Sequence, residues 1–131
     1  MMTEDERGDP TDVVLRFRSG ETTRRSGRLQ IDSDSQLVIV GTDAEGIDEI
    51  PFSSLKAVFF PRRALDAHAA SYPEGGIELA VEFDDGEVIR GRTSGYNPAS
   101  AGFFLYPADQ SKSERVFVIA AAVVSIDVER L

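Results

Sequence analysis

A chain of 131 residues with 41% hydrophobic content is long enough to bury a core, which excludes disorder throughout. It holds no run of 18 apolar residues and no charged-then-apolar leader, so we expect neither membrane insertion nor secretion, and a cytoplasmic location. A net charge of −9, no cysteine and a single histidine, His68, exclude disulfides, thiolate nucleophiles and zinc clusters and argue against nucleic acid as partner.

The charge is uneven, with −4 on residues 1–12, +1 on 13–63 and −6 on 64–131. Residues 1–12, MMTEDERGDPTD, are acidic and broken by Gly8 and Pro10, which predicts a mobile tail. From Val13 the run VVLRFR alternates, with Val13, Leu15 and Phe17 on one face and Val14, Arg16 and Arg18 on the other, and ends at the turn Ser19-Gly20. The return arm is TTRRSGRLQI, in which Gly27 predicts a bulge or bend. LVIV at 37–40 is a short apolar strand, and GTDAEG leads through IDEIPF and a tight PFSSL turn into the strand LKAVFF.

Residues 61–76, PRRALDAHAASYPEGG, interrupt this pattern and read as a linker, with a short helix over Ala64 to Ala70. Strands resume with IELAVEF, which turns Ile77, Leu79, Val81 and Phe83 inward, and Asp85-Gly86 makes the next hairpin. The most specialised stretch follows, GYNPASAGFFLYPAD at 95–109. Its Gly95 and Asn97-Pro98 mark a loop, Gly102 a tight re-entry, FFLY a strand and Pro107 its stop.

Segments about 66 residues apart echo each other: FRSGE with FDDGE, SGR at 26–28 with RGR at 90–92, LVIV with FFLY, and EIPFSSLKAV with RVFVIAAAVVSI. The expected fold is therefore all-β: two tandem SH3-like or Sm-like small barrels over 13–60 and 77–131, arisen by internal duplication. Units this small need to pack on each other.

The second half resembles a bacterial domain of unknown function that recurs in signalling and motility proteins. The hallmarks of that domain fall on Asp85, Gly86, Glu87, Gly91, Tyr96, Pro98, Gly102, Phe103, Phe104, Leu105, Pro107, Ala108, Asp109, Arg115, Val116, Phe117 and Val118. IPFSSLKAVFF is similar to it as well. The resemblance implies a regulatory role by association, because such domains sit beside response-regulator or PilZ domains, and it implies no activity.

Arg24-x-x-x-Arg28, with Arg25 between, has the arginine spacing of the PilZ cyclic-di-GMP motif, and Asn97 five residues before Gly102 resembles its second half. Guanidinium forks would take phosphate oxygens there. Against it, Ser100 stands three residues after Asn97 rather than two, and the arginines lie in a hairpin about 70 residues upstream. The same arginines would be the phosphate contacts of an Sm-like RNA binder, which the acidic total opposes.

Asp84, Asp85, Glu87 and Asp109 have no histidine, cysteine or serine spaced to make a triad. Asp32, Asp34, Asp43 and Glu45 lack the calcium-loop pattern and read as turn formers. Tyr72, Tyr96, Phe59 and Phe60 would form an exposed aromatic patch for a partner, the alternative being burial of Phe59 in the final strand of the first unit. The expectation is a non-enzymatic protein-interaction module without cofactor or metal, presenting Tyr96, Asn97, Pro98, Gly102 and Phe103 to a protein partner. Its alternatives are a cyclic-di-nucleotide sensor using Arg24, Arg25 and Arg28, and self-assembly, including a homodimer, through FFLY or LKAVFF at a sheet edge.

Overall fold

A computed structural model gives the structure of residues 11–42, 46–61 and 75–130. The tail up to residue 10, His68, Tyr72 and the expected helix at Ala64 to Ala70 lie outside the described residues. The architecture is all-β, as the alternating patterns predict. Its strands are β1 (Thr11–Phe17), β2 (Thr22–Asp32), β3 (Leu37–Thr42), β4 (Gly46–Pro51), β5 (Leu55–Pro61), β6 (Ile77–Phe83), β7 (Val88–Thr93), β8 (Gly102–Pro107), β9 (Ser113–Ile119) and β10 (Val123–Arg130). Single 3₁₀ turns, Phe52–Ser54 and Ala120–Ala122, separate β4 from β5 and β9 from β10. Strand structure begins at Thr11, so Thr11 and Asp12 belong to β1 rather than to the tail.

Two separately closed barrels do not form. The ten strands make one open antiparallel sheet in the order β10-β6-β7-β8-β9-β5-β1-β2-β3-β4. The physical reason is the pairing of β5 with β9, Ala57 opposite Val118 and Phe59 opposite Val116, which spends on the other half the edges each half would need to close on itself. Within the sheet the first five strands run β5-β1-β2-β3-β4 and the second five β10-β6-β7-β8-β9.

Their registers correspond in detail. Arg16 pairs with Ala57 and Phe17 with Leu55, so the ladder skips Lys56; Glu82 pairs with Ser125 and Phe83 with Val123, so it skips Val124. Each is a β-bulge that re-aims the skipped side chain. The hairpin turns also match: Gly20 and Gly86 both hold positive φ, and their N–H groups donate to Phe17 O and Phe83 O.

Two details of the echo read from sequence are corrected by the ladders. Arg25 sits opposite Val13 and Gly91 opposite Leu79, so Gly91 takes the place of Arg25 and not that of Gly27. Leu37 sits opposite Pro51 and Gly102 opposite Ile119, so LVIV corresponds to GFFL rather than to FFLY. A one-residue slip matters because it exchanges faces; buried Val38 and Val40 then match buried Phe103 and Leu105. Gly27 itself makes no register shift. It lies where β2 leaves β1 and takes up β3, a change of partner within one eleven-residue strand.

Each half encloses a core, and each core borrows from the other half. Val13, Leu15, Val38, Val40, Phe52 and Leu55 are joined by Phe117 and Ile119, while Leu79, Val81, Phe83, Phe103 and Leu105 are joined by Ala57. β5 and β9 therefore bury both faces, which is why LKAVFF and RVFVI read as nearly continuous apolar runs. Phe60 is buried, and Phe59 packs half-buried on the second core, so neither belongs to an exposed aromatic patch.

Candidate functional site

The loop from Ser94 to Ala101 is held from beneath by Thr93, a buried side chain whose hydroxyl donates to Phe104 O at 2.7 Å and accepts from Gly95 N at 3.2 Å. Asn97 then makes an Asx turn, its Oδ1 accepting from Ala99 N at 2.9 Å, and Ser100 Oγ donates to Gly102 O at 2.7 Å. Tyr96 stands edge-on to Phe103 with ring centroids 5.1 Å apart. Tyr96, Asn97, Pro98, Ser100 and Phe103 line one side of a hollow of about 290 Å³, and Val123, Val124, Ser125 and Ile126 of β10 line the other. Gly102 does not line it. A Cβ there would meet the Phe117 ring at 2.6 Å and Val118 O at 2.7 Å, so this glycine is required by packing.

A second, larger hollow of about 620 Å³ opens between the halves, floored by Val14, Phe59 and Val116 and rimmed by Arg16, Arg24, Arg90, Lys112, Glu87 and Asp109. At its side lies an ionic clasp. Lys56, only 3% exposed, reaches from the β5 bulge to the hairpin between β6 and β7, where its Nζ donates to Asp85 at 2.6 Å and to Glu87. Arg18 meets Asp84 at 2.6 Å, and Arg16 meets Glu87 at 3.4 Å. The Lys56 ammonium also stands 4.8 Å from the centre of the Phe83 ring. Hydrogen bonding to Lys56, helped by the Glu87 N–H, holds the Asp85 carboxyl below the usual carboxylate range. The Ser111 hydroxyl and N–H lower that of Asp109 in the same way.

Residues 9–130 match a family described as a family of unknown function, DUF6982. The chain belongs to it. No curated protein and no solved structure matches the chain.

Within this DUF6982 fold the residues singled out from sequence fall into two places. Tyr96, Asn97, Pro98 and Phe103 share the smaller hollow; Arg24 lines the larger one, and the two have no lining residue in common. Arg25 turns to the other face of β2 and pairs with Asp48 at 2.8 Å. Arg28 is exposed on the same strand face as Arg24. Asp32 accepts from the N–H groups of Asp34 and Ser35, the turn-forming role expected of it. FFLY and LKAVFF fall in β8 and β5, interior strands of the sheet, so neither offers an edge to another copy.

Sequence reasoning missed the clasp, because Asp84, Asp85 and Glu87 surround the Asp85-Gly86 hairpin turn, a place where carboxylates are ordinarily solvated. One signal was available: Lys56, one of only two lysines, stands in the middle of an apolar run.

Proposed function

We propose that this chain is a non-enzymatic protein-interaction module that holds an extended segment of a partner along β10. The reading rests on one observation: the smaller hollow joins the specialised 94–101 loop to an edge strand, so main-chain pairing and a side-chain pocket lie side by side. Strand addition uses these two elements, the ladder for affinity and the pocket for specificity. Val124, 60% exposed at the bulge, sits on that border. A regulatory or motility setting is supported only by the family resemblance, and the matching ladders of the two halves support descent from a duplicated unit resembling an SH3-like barrel.

The test is capture from native lysate by the whole chain and by Val124→Lys, which places a charge on the edge while leaving the cores intact. The variant is expected to lose about tenfold in affinity for whatever partner is captured, or 1.4 kcal/mol. Equal capture by both proteins removes β10 as the docking edge.

A second reading has its own observation. Arg24 makes no ion pair among the described residues and lines the larger hollow, whose mixed rim holds the cations Arg16, Arg90 and Lys112 beside the carboxylates Glu87 and Asp109, so its guanidinium stands over an apolar floor where a nucleotide phosphate could be taken. Calorimetry with cyclic-di-GMP decides it, heat that disappears in Arg24→Ala being the expected signal.

A further inference from the structure

The sheet is joined at its middle by a head-to-tail contact and left open at both ends by strands of the same two kinds. At the joint, the last strand of the first half, β5, pairs with the fourth strand of the second, β9. Among the described residues the free ends are the last strand of the second half, β10, and the fourth strand of the first, β4. We propose that the partner at β10 is a second copy of this chain, whose β4 repeats the β5–β9 contact between molecules. This deepens the reading of β10 as a docking edge and rests on it.

The residues at the two ends carry the idea beyond topology. Val123 stands in β10 where Leu55 stands in β5, both opposite the Phe that ends the neighbouring strand. Pro51 stands in β4 where Ile119 stands in β9, each just before a 3₁₀ turn. Carrying over the pairings Ala57 to Val118, Val58 to Phe117 and Phe59 to Val116 puts Ser125 opposite Ile50, Ile126 opposite Glu49 and Asp127 opposite Asp48. The next pair is Val128 opposite Ile47.

The described residues include four exposed large hydrophobic side chains, Ile47, Val88, Val124 and Val128. Three of them lie on these two edges, and the transferred register sets Ile47 and Val128 face to face. Both edges also carry guards, Asp48, Glu49 and Pro51 on β4 and Asp127 with the register shifts of β10, yet Ile47 and Val128 themselves stay apolar and exposed between them. Asp127 would face Asp48, a repulsive pairing, but Asp48 already holds the Arg25 guanidinium, so the incoming carboxylate meets an ion pair and not a bare anion. A contact between two different surfaces propagates, so the assembly is a ring where the rotation closes and a filament where it does not.

The absence of cysteine makes the test clean. Ile47→Cys and Val128→Cys are prepared as separate proteins, both substitutions being at exposed positions, and are oxidised gently alone and mixed. Mixing is expected to give a disulfide-linked dimer several-fold more abundant than either variant forms alone, and more abundant than Ile47→Cys mixed with Val88→Cys. Light scattering of the unmodified chain is expected to show multiples of 14.3 kDa, which Val128→Lys reduces. Self-linking of a single variant as strong as mixed linking would mean like-to-like pairing and overturn the proposal. A chain that stays monomeric at hundreds of micromolar also overturns it. If such a monomer still loses lysate capture on Val124→Lys, β10 docks a different protein, whereas a monomer indifferent to that substitution removes the docking edge itself.

Discussion

Lys56 is the residue on which the most physical chemistry converges. An ammonium this deeply buried is tolerable only with anions at hand, and Asp85 and Glu87 supply them from the opposite half. Removing both acceptors with Asp85→Asn and Glu87→Gln strands the charge. Because both carboxylates are partly exposed and screened, the expected cost is about 2 kcal/mol rather than the larger figure for a fully buried pair. Adding Lys56→Met, a side chain of similar length against Phe83, is expected to restore most of it; urea denaturation at pH 7 measures both steps. The sign with pH follows from the depressed Asp85 carboxyl. Its contribution is present above the ordinary aspartate value, about 3.9, and is lost as pH falls through the lower folded-state value. Asp85→Asn should therefore be slightly less stable at neutral pH and show a flatter stability profile below about pH 4.

β8 shows at the scale of an element why one position in a strand is not interchangeable with the next. Phe103 and Leu105 enter the second core, while Phe104 turns to the first, packed on Phe60 and Phe117 with ring centroids 5.9 and 5.0 Å away. At Gly102 the strand leaves no room for a Cβ, which would meet the Phe117 ring at 2.6 Å and Val118 O at 2.7 Å on β9. Gly102→Ala should cost about 1–3 kcal/mol, since the new methyl meets both a buried ring and a backbone oxygen that cannot yield together. Thermal unfolding reads the loss, and a variant as stable as the parent would show that β9 has room to move. The sequence marks of β8 were plain: glycine before four large residues and proline after them. Its register against the first half was not, because LVIV fits both FFLY and GFFL as a string, and only the ladder partners choose between them.

At the scale of the molecule, the shared β5–β9 joint makes the halves interdependent. The first core lacks Phe117 and Ile119 without the second half, and the second lacks Ala57 without the first. Fragments ending or beginning within the 62–74 connection are expected to be unfolded alone and to regain β structure on mixing, as circular dichroism would show. Two fragments that fold independently would mean that each core is sufficient by itself. For the same reason the intact chain should unfold in one cooperative transition.

By itself the sequence determined the class of structure, the strands and the hairpin turns, because those follow from local alternation and from glycine and proline placed where the backbone needs them. It also marked out the 95–102 loop by its glycine, proline and aromatic content. What only the tertiary structure decided is how the halves meet. The joining of β5 to β9, the burial of Lys56 against a distant hairpin, and the exposure of β4 and β10 as the two ends all depend on which backbone groups find partners across long stretches of chain. Hydrogen bonding along a strand edge uses the same main-chain groups in every residue type but proline, so the pattern of side chains does not state in advance which edge will be taken and which left open.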